Sequence, residues 1–357
     1  MNCAAISRCV ALAGLLALGV ACAPRAAAPS PSSAPPAPPA ALPSAPPASA
    51  PAAPALAPVR YGAISAVFPE FWEDFVAEDN GFWATNGIAL DTTITNTSAG
   101  GTQALVADAV DVANNSVDTL VLAVEKGADL VQVADLVVTP TYGLIGTPDL
   151  HAYADLRGQK IAISDLRSGP TIILKRMLVA NGLSEDTVDL VPAGGSSARF
   201  TALETGAVQA ALMVQPFDFQ LLDSGYTLIG YSTDYVKKQT LNAALVRRTW
   251  AAQHADTLVR FLRAKKQAID WLYAPANRVE AVRILAEHGK MTPELADRTY
   301  ELKVVRERVF SATLVPDLAA LGDVIDVLGT LGDLSAPLPR PEKFVDPQYV
   351  ERARQGS

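Results

Sequence analysis

The residues of this chain that could do chemistry are hydroxyls, amides and rings set beside glycines, and they recur at short intervals. Ser65, Phe68 and Trp72 follow the first apolar run of the body, and Gly101 with Thr102, then Asn115 with Ser116, follow the next two. A second set comprises Ser164, Ser168, Gly169 and Thr171, then Gly195 and Ser196, then Gln215 and Phe217. Neutral donors, bare helix N-termini and flat aromatic faces suit a reversible grip on a small planar molecule. Covalent or metal chemistry finds less support. The chain has no His-Glu-x-x-His site, no Gly-x4-Gly-Lys loop and no Gly-x-Ser-x-Gly elbow. Structural roles compete for several positions. Phe71 and Trp72 stand at helical spacing and fit a core as well as a pocket. Asn115 and Ser116 fit the cap of a helix starting near Val117, and the Gly-Gly pairs fit plain turns.

Charge around these positions is asymmetric. Glu70, Glu73 and Asp74 fall in the first turn of one helix, which suits its dipole and repels an anion arriving there. Arg167, Lys175 and Arg176 surround the helix start at Ser168-Gly169-Pro170-Thr171, which tolerates one. The asymmetry favours a neutral or mixed-charge planar solute over a small hard anion.

The elements that must position these residues read as alternating strands and helices, the pattern of mostly parallel sheets with crossover helices. Val59–Ile64 is a strand. Pro69 opens a helix whose apolar residues run to Trp83, and Asn86-Gly87 ends it. Ile88–Ile94, Val110–Ala113 and Leu130–Val138 are strands, with helices opening at Gly100-Gly101 and spanning Val117–Lys126. The chain then repeats itself. Ala63-Ile64-Ser65, Asn86-Gly87-Ile88, Ala99-Gly100-Gly101, Ala104-Leu105 and Ala109-Val110 return in order. They reappear as Ala162-Ile163-Ser164, Asn181-Gly182-Leu183, Ala193-Gly194-Gly195, Ala202-Leu203 and Ala207-Val208. Two copies of one βαβαβ unit predict two lobes whose strand ends face a shared cleft. The fold class expected is α/β, a two-lobed clamp in which each lobe is a doubly wound, mostly parallel sheet, with two hinge crossovers.

The first residues point outside the cytoplasm. Arg8, an apolar run from Val10 to Val20 and Ala21-Cys22 have the anatomy of an export signal over residues 1–21. The run of about 11 residues is too short to span a bilayer. Leu18-Gly19-Val20-Ala21-Cys22 resembles a bacterial lipoprotein signal, which implies lipidation of Cys22 and a membrane anchor. Residues 22–58 are nearly all Ala, Pro and Ser and read as an extended tether. All three cysteines precede residue 23, so the body has no thiol for a disulfide, a Cys-ligated zinc or a nucleophile. No metal and no cofactor are expected. A net charge of −8, without a clustered basic face, gives no nucleic-acid footprint.

Motifs within the body resemble a known family. Val76-Ala77-Glu78-Asp79-Asn80-Gly81-Phe82-Trp83 followed by Gly87-Ile88, Asp111-Val112-Ala113, Asp155-Leu156-Arg157-Gly158 and Gly206-Ala207-Val208 are similar to solute-binding proteins of ABC importers. The branch resembled handles sulfonates, taurine, nitrate and the pyrimidine precursor of thiamine, with riboflavin binders nearby. The resemblance implies a first lobe of residues 59–143 plus 243–357 and a second of 149–232. Crossings near Thr139–Thr147 and Ser232–Asn242 are the hinge, and Trp250–Tyr273 is a helix docked on the first lobe. It implies a monomer that binds a small-molecule ligand and serves a membrane permease and its ATPase, rather than an enzyme. The residues favour a vitamin-like heteroaromatic, riboflavin or a thiamine-precursor pyrimidine, with a sulfonate, taurine or nitrate as the alternative. Pyrimidine synthases of the same fold use a histidine, pyridoxal phosphate and iron with a cysteine cluster, which this body lacks.

Overall fold

The computed structural model of the chain describes residues 56–355 apart from Arg167 and Lys237. The expected export signal, Cys22 and the tether as far as residue 55 lie outside the described residues. The strands are β1 (Ala57–Ala63), β2 (Ile88–Ile94), β3 (Val112–Ser116), β4 (Leu130–Val137) and β5 (Gly143–Gly146). They continue as β6 (Lys160–Ile163), β7 (Asp189–Pro192), β8 (Ala210–Met213), β9 (Thr227–Tyr231) and β10 (Asn242–Arg247).

These strands make two 5-stranded sheets, ordered β2-β1-β3-β10-β4 and β7-β6-β8-β5-β9. In the first, β1 runs parallel to β2 and β3, while β10 is antiparallel to β3 and β4. In the second, β6 runs parallel to β7 and β8, while β5 is antiparallel to β8 and β9. The two sheets therefore have one topology, and helices flank both. The fourth place in each is taken by a strand that enters from a crossing: β5 arrives before its unit and β10 returns after the other. That exchange joins the two lobes of the clamp.

Each local departure has a physical cause. The expected third strand, Val110–Ala113, instead runs Val112–Ser116, because β10 pairs Asn242 with Ser116 and Ala243 with Asn115. That partner lies far along the chain, where periodicity cannot see it. The first crossing is shorter than expected, since Gly143–Gly146 is itself a strand. The helix expected to run from Pro69 to Trp83 is a 3-10 turn at Pro69–Phe71, a helix at Trp72–Asp79 and a short helix at Phe82–Thr85. Gly81, at φ +67, makes the break; left-handed backbone is tolerated best by glycine. The helix read as Trp250–Tyr273 divides at His254 into Arg248–Gln253 and Ala255–Tyr273.

Ala255–Tyr273 buries Leu258, Phe261, Leu262, Ile269 and Leu272, the stripe its spacing predicts. Each such side chain contributes about 1.5–3 kcal/mol by leaving water. The main apolar cluster is continuous through both lobes, from Val59 and Val133 to Ile161 and Leu212. Among the described residues no helix is long and apolar enough to cross a membrane.

Candidate functional site

A cavity of about 170 Å³ lies where strand ends of the two sheets approach each other. The first lobe contributes Ile64, Phe68, Glu70 and Phe71 beyond β1, and Ser116 at the end of β3. The second contributes Pro170, Gly195, Ser196 and Arg199, and Tyr142 and Leu241 come from the two crossings. Three helices begin here without a side-chain cap. They are Val117–Glu125 after Ser116, Gly169–Ala180 after Ser168, and Ser196–Glu204 after Gly195. At the first of these the buried Asp118 carboxylate accepts from the backbone N–H groups of Asp118 and Thr119. The other two leave first-turn N–H groups free and carry partial positive charge, so they favour an anion.

Arg199 strengthens that field. It is 3 % exposed, and its guanidinium donates to Gly194 O at 3.3 Å and to Ser196 Oγ at 2.8 Å. Among the described residues no carboxylate stands within ion-pair distance of it. Burial lowers its pKa, and the fields of Tyr142 and Asp165 oppose that shift. Burial pushes the Tyr142 phenol well up, the Glu70 carboxylate pushes it further, and Arg199 opposes both. Tyr142 thus feels both side chains.

The acids expected to repel an anion are neutralised internally. Lys303, 1 % exposed, donates to Glu70 Oε1 at 2.7 Å and to Thr141 Oγ1 at 2.8 Å. Lys265, fully buried, donates to Glu73 Oε1 at 3.1 Å and also pairs with Asp74. Burial raises the Glu73 carboxyl to about 7, with Lys265 pulling the other way. Of the bases near the second-lobe helix, Lys175 pairs with Glu185, Arg176 reaches Gln239, and Arg167 lies outside the described residues.

The residues singled out from sequence divide by position. Phe68, Ser116, Gly195 and Ser196 line the cavity. Gly169 faces Ser116 and Leu241 beside it. Ser164, Ser168 and Thr171 form a hydroxyl chain that braces their loop, with Thr171 donating to Asp165 O at 2.6 Å. Ser65 accepts from Val67 N at 3.2 Å in the turn after β1.

Others sit behind the wall. Asn115, fully buried, donates to Ser98 O at 2.9 Å and to Thr102 Oγ1 at 3.0 Å. A Cβ on Gly101 would lie 2.9 Å from Asn115 Nδ2, so glycine permits this contact. Gln215 donates to Thr141 O at 3.1 Å and to Asp218 Oδ2 at 2.6 Å, and Phe217 packs on Phe200 at 5.4 Å. Trp72 is a core residue and not a cleft residue. It is 0 % exposed, its indole donates to Ala281 O at 3.2 Å, and its ring meets the edge of Tyr300. Tyr142 and Arg199 were missed, and Glu70 was read only as repelling charge. Arg199 had one legible signal: it stands four residues after Gly195, one turn into a helix that starts at the repeated Gly-Gly pair.

Other proteins are similar to this chain in sequence or in fold. A Brucella abortus protein, provisionally assigned as a binding protein, is 23 % identical over 292 residues, 79 % of this chain and 88 % of the relative. The alkanesulfonate-binding protein of Xanthomonas axonopodis pv. citri, solved with MOPS, superposes with a TM-score of 0.67 at 18 % identity, covering 82 % of this chain and 99 % of that one. The periplasmic nitrate-binding protein of Synechocystis superposes with a TM-score of 0.71 at 16 % identity, covering 84 % and 89 %. At such identities the superpositions establish the two-lobed binding-protein fold. The profile of the NMT1/THI5-like family matches residues 69–278, more than half of the chain, and the chain belongs to that family.

Proposed function

We propose that this chain is an extracytoplasmic solute-binding lipoprotein of an ABC importer, capturing a small acidic solute between its lobes without chemical turnover. Arg199 carries the reading: a buried guanidinium with no ion-paired carboxylate among the described residues, beside the uncapped helix starts at Ser168 and Gly195, is a site prepared for an anion. Phe68, Phe71 and Tyr142 line the same cavity and suit an apolar or planar body behind the acid. The sulfonate and nitrate binders that share the fold support an acidic ligand.

A vitamin-like ring is the second reading, favoured by those three aromatic side chains. The cavity of about 170 Å³ favours a single pyrimidine ring over riboflavin, because drug-sized ligands occupy roughly 300–1,000 Å³. Closure follows population shift, since a solute touching both lobes favours the shut state. Lipidation of Cys22 anchors the monomeric protein beside its permease and ATPase, and the Ala/Pro/Ser tether supplies reach.

A thermal-shift screen of the full chain against small sulfonates, carboxylates, nitrate, pyrimidines and flavins tests this reading. A ligand at about 100 times its Kd adds roughly 2.7 kcal/mol of stability. The reading expects the acids to stabilise; a response confined to neutral rings reverses the order of the two readings.

A further inference from the structure

A second cavity, of about 260 Å³, shares no lining residue with the cleft. The end of β4 supplies Asp135 and Val138, the second crossing supplies Lys238, Gln239 and Thr240, and the remainder comes from the segment that starts at Arg308. Backbone hydrogen bonds knit these walls together. Val138 N donates to Val309 O at 2.8 Å, Ser311 N to Leu136 O at 2.8 Å, and Gln239 N to Val138 O at 3.0 Å. Arg308 and Leu314 hold left-handed backbone, at φ +47 and +60. Such strain outside glycine persists where the surroundings over-determine it, and ligand clamps are among those places.

The charges around this cavity differ in what they have left to offer. Both carboxylates are satisfied from within. Asp135, 1 % exposed, accepts from Gln132 Nε2 at 2.5 Å and from Asp317 N at 3.0 Å. Asp317 caps the helix Leu318–Thr330, accepting from Ala319 N at 3.0 Å and Ala320 N at 3.1 Å. The two cations, Lys238 and Arg308, are exposed, and among the described residues neither stands within ion-pair distance of a carboxylate. The Arg308 guanidinium lies 4.1 Å from the centre of the Tyr273 ring, which steadies it and leaves its charge uncancelled.

We propose that this cavity is a second ligand site, for a small organic dianion of the dicarboxylate class. Arg308 offers the planar fork that matches a carboxylate, and Lys238 supplies the second positive charge. Phe310, Val138 and Val315 give a carbon surface for the body between the two acid groups, which bare phosphate or sulfate would leave unfilled. Lys238 belongs to a crossing, while Arg308 begins the segment that Phe310 joins to β4. A dianion held by both fastens the hinge from outside the cleft.

Calorimetric titration of the full chain with succinate, glutarate and adipate, against butyrate as the monoanion, tests the site. At least one diacid should bind saturably and about tenfold or more tighter than butyrate. That binding should survive Arg199→Gln and weaken about tenfold or more in Lys238→Gln/Arg308→Gln. Lys238→Glu, a change at an exposed position, should weaken it as well, and decides the matter should loss of Arg308 from the Tyr273 ring disturb folding. With the diacid bound, amide hydrogen exchange should slow at Gln239 and Leu241 on the crossing. A chain that does not prefer any diacid to butyrate would overturn the proposal. So would binding that is lost in Arg199→Gln and kept in the charge variants, or unchanged exchange at the crossing with the diacid bound. None of these results bears against capture of an acid by Arg199, which has its own titration.

Discussion

Lys303 donates to Glu70 at 2.7 Å across 233 positions of sequence, tying the C-terminal segment to the cleft wall. The lysine lies in a π-helical turn, Glu301–Arg306, a conformation found mostly as single turns and frequently at functional sites. Its hold on Thr141 extends through Gln215 to Asp218, so one hydrogen-bonded chain runs from the cleft wall past a crossing into the second lobe. Each member takes part in the hydrogen bonding of the next, and the wall is thereby fixed relative to the hinge.

The second buried lysine gives the clearest stability prediction. Lys265→Met leaves Glu73 and Asp74 buried without their cation, and should destabilise the protein by about 3–5 kcal/mol. Denaturant unfolding measures it. A loss below about 1 kcal/mol would show that the pair is not needed to dock Ala255–Tyr273 on the first lobe.

Trp72 should matter for folding and not for affinity. Trp72→Ala empties a fully buried site and should cost about 3–5 kcal/mol. The folded fraction should bind solute as the parent does. A variant with unchanged stability and lost affinity would return Trp72 to the cleft.

Buried carboxyls set the pH dependence of stability. Burial raises Asp135 from 3.8 to about 7 and Asp218 from 3.8 to about 6. Between those values the folded protein keeps protons that the unfolded chain has released. Their contribution is therefore fully present below about pH 4 and is lost as pH rises through about 6 to 7. Asp135→Asn removes one of the two groups. The stability of the parent relative to this variant should fall from about pH 4.5 to about pH 7.5, measured by denaturant midpoints. A parent that gains on the variant as pH rises contradicts the assignment.

The anchor has a direct test. Cys22→Ser should release an otherwise folded protein from the membrane fraction, because Cys22 alone carries the acyl chains in this account. Membrane association unchanged in the serine variant would end the lipoprotein reading.

Much of the architecture was legible in the chain because it rests on local patterns. β2 falls where its apolar run predicts, and the repeated strand-end motifs mark two sheets of one topology. The repeat also brought Phe68, Ser116, Gly195 and Ser196 near the cavity. What escaped was set by distant partners. Glu70, Glu73 and Asp74 read as bare negative charge until Lys265 and Lys303 closed on them from the other end of the chain. Asn115 looked like a free amide, yet it fastens Ser98 and Thr102 behind the wall. Arg199 stood unremarked because its one signal, a place one turn after the repeated Gly-Gly pair, does not tell a buried arginine from an exposed one; burial with no ion-paired carboxylate among the described residues makes it stand out.

Capture of an acid by Arg199 is the centre of the account, and calorimetric titration of the full chain and of Arg199→Gln reaches it most directly. The same panel of sulfonates, carboxylates and neutral rings serves both proteins. One-site, saturable binding of an acid is expected for the parent, with no product on prolonged incubation. A charge-assisted hydrogen bond contributes about 1.5–3 kcal/mol, so the variant should bind that acid roughly 10- to 100-fold more weakly while unfolding at nearly the same denaturant midpoint. Equal affinity of parent and variant for the acid, or binding by the parent of neutral rings alone, would contradict it.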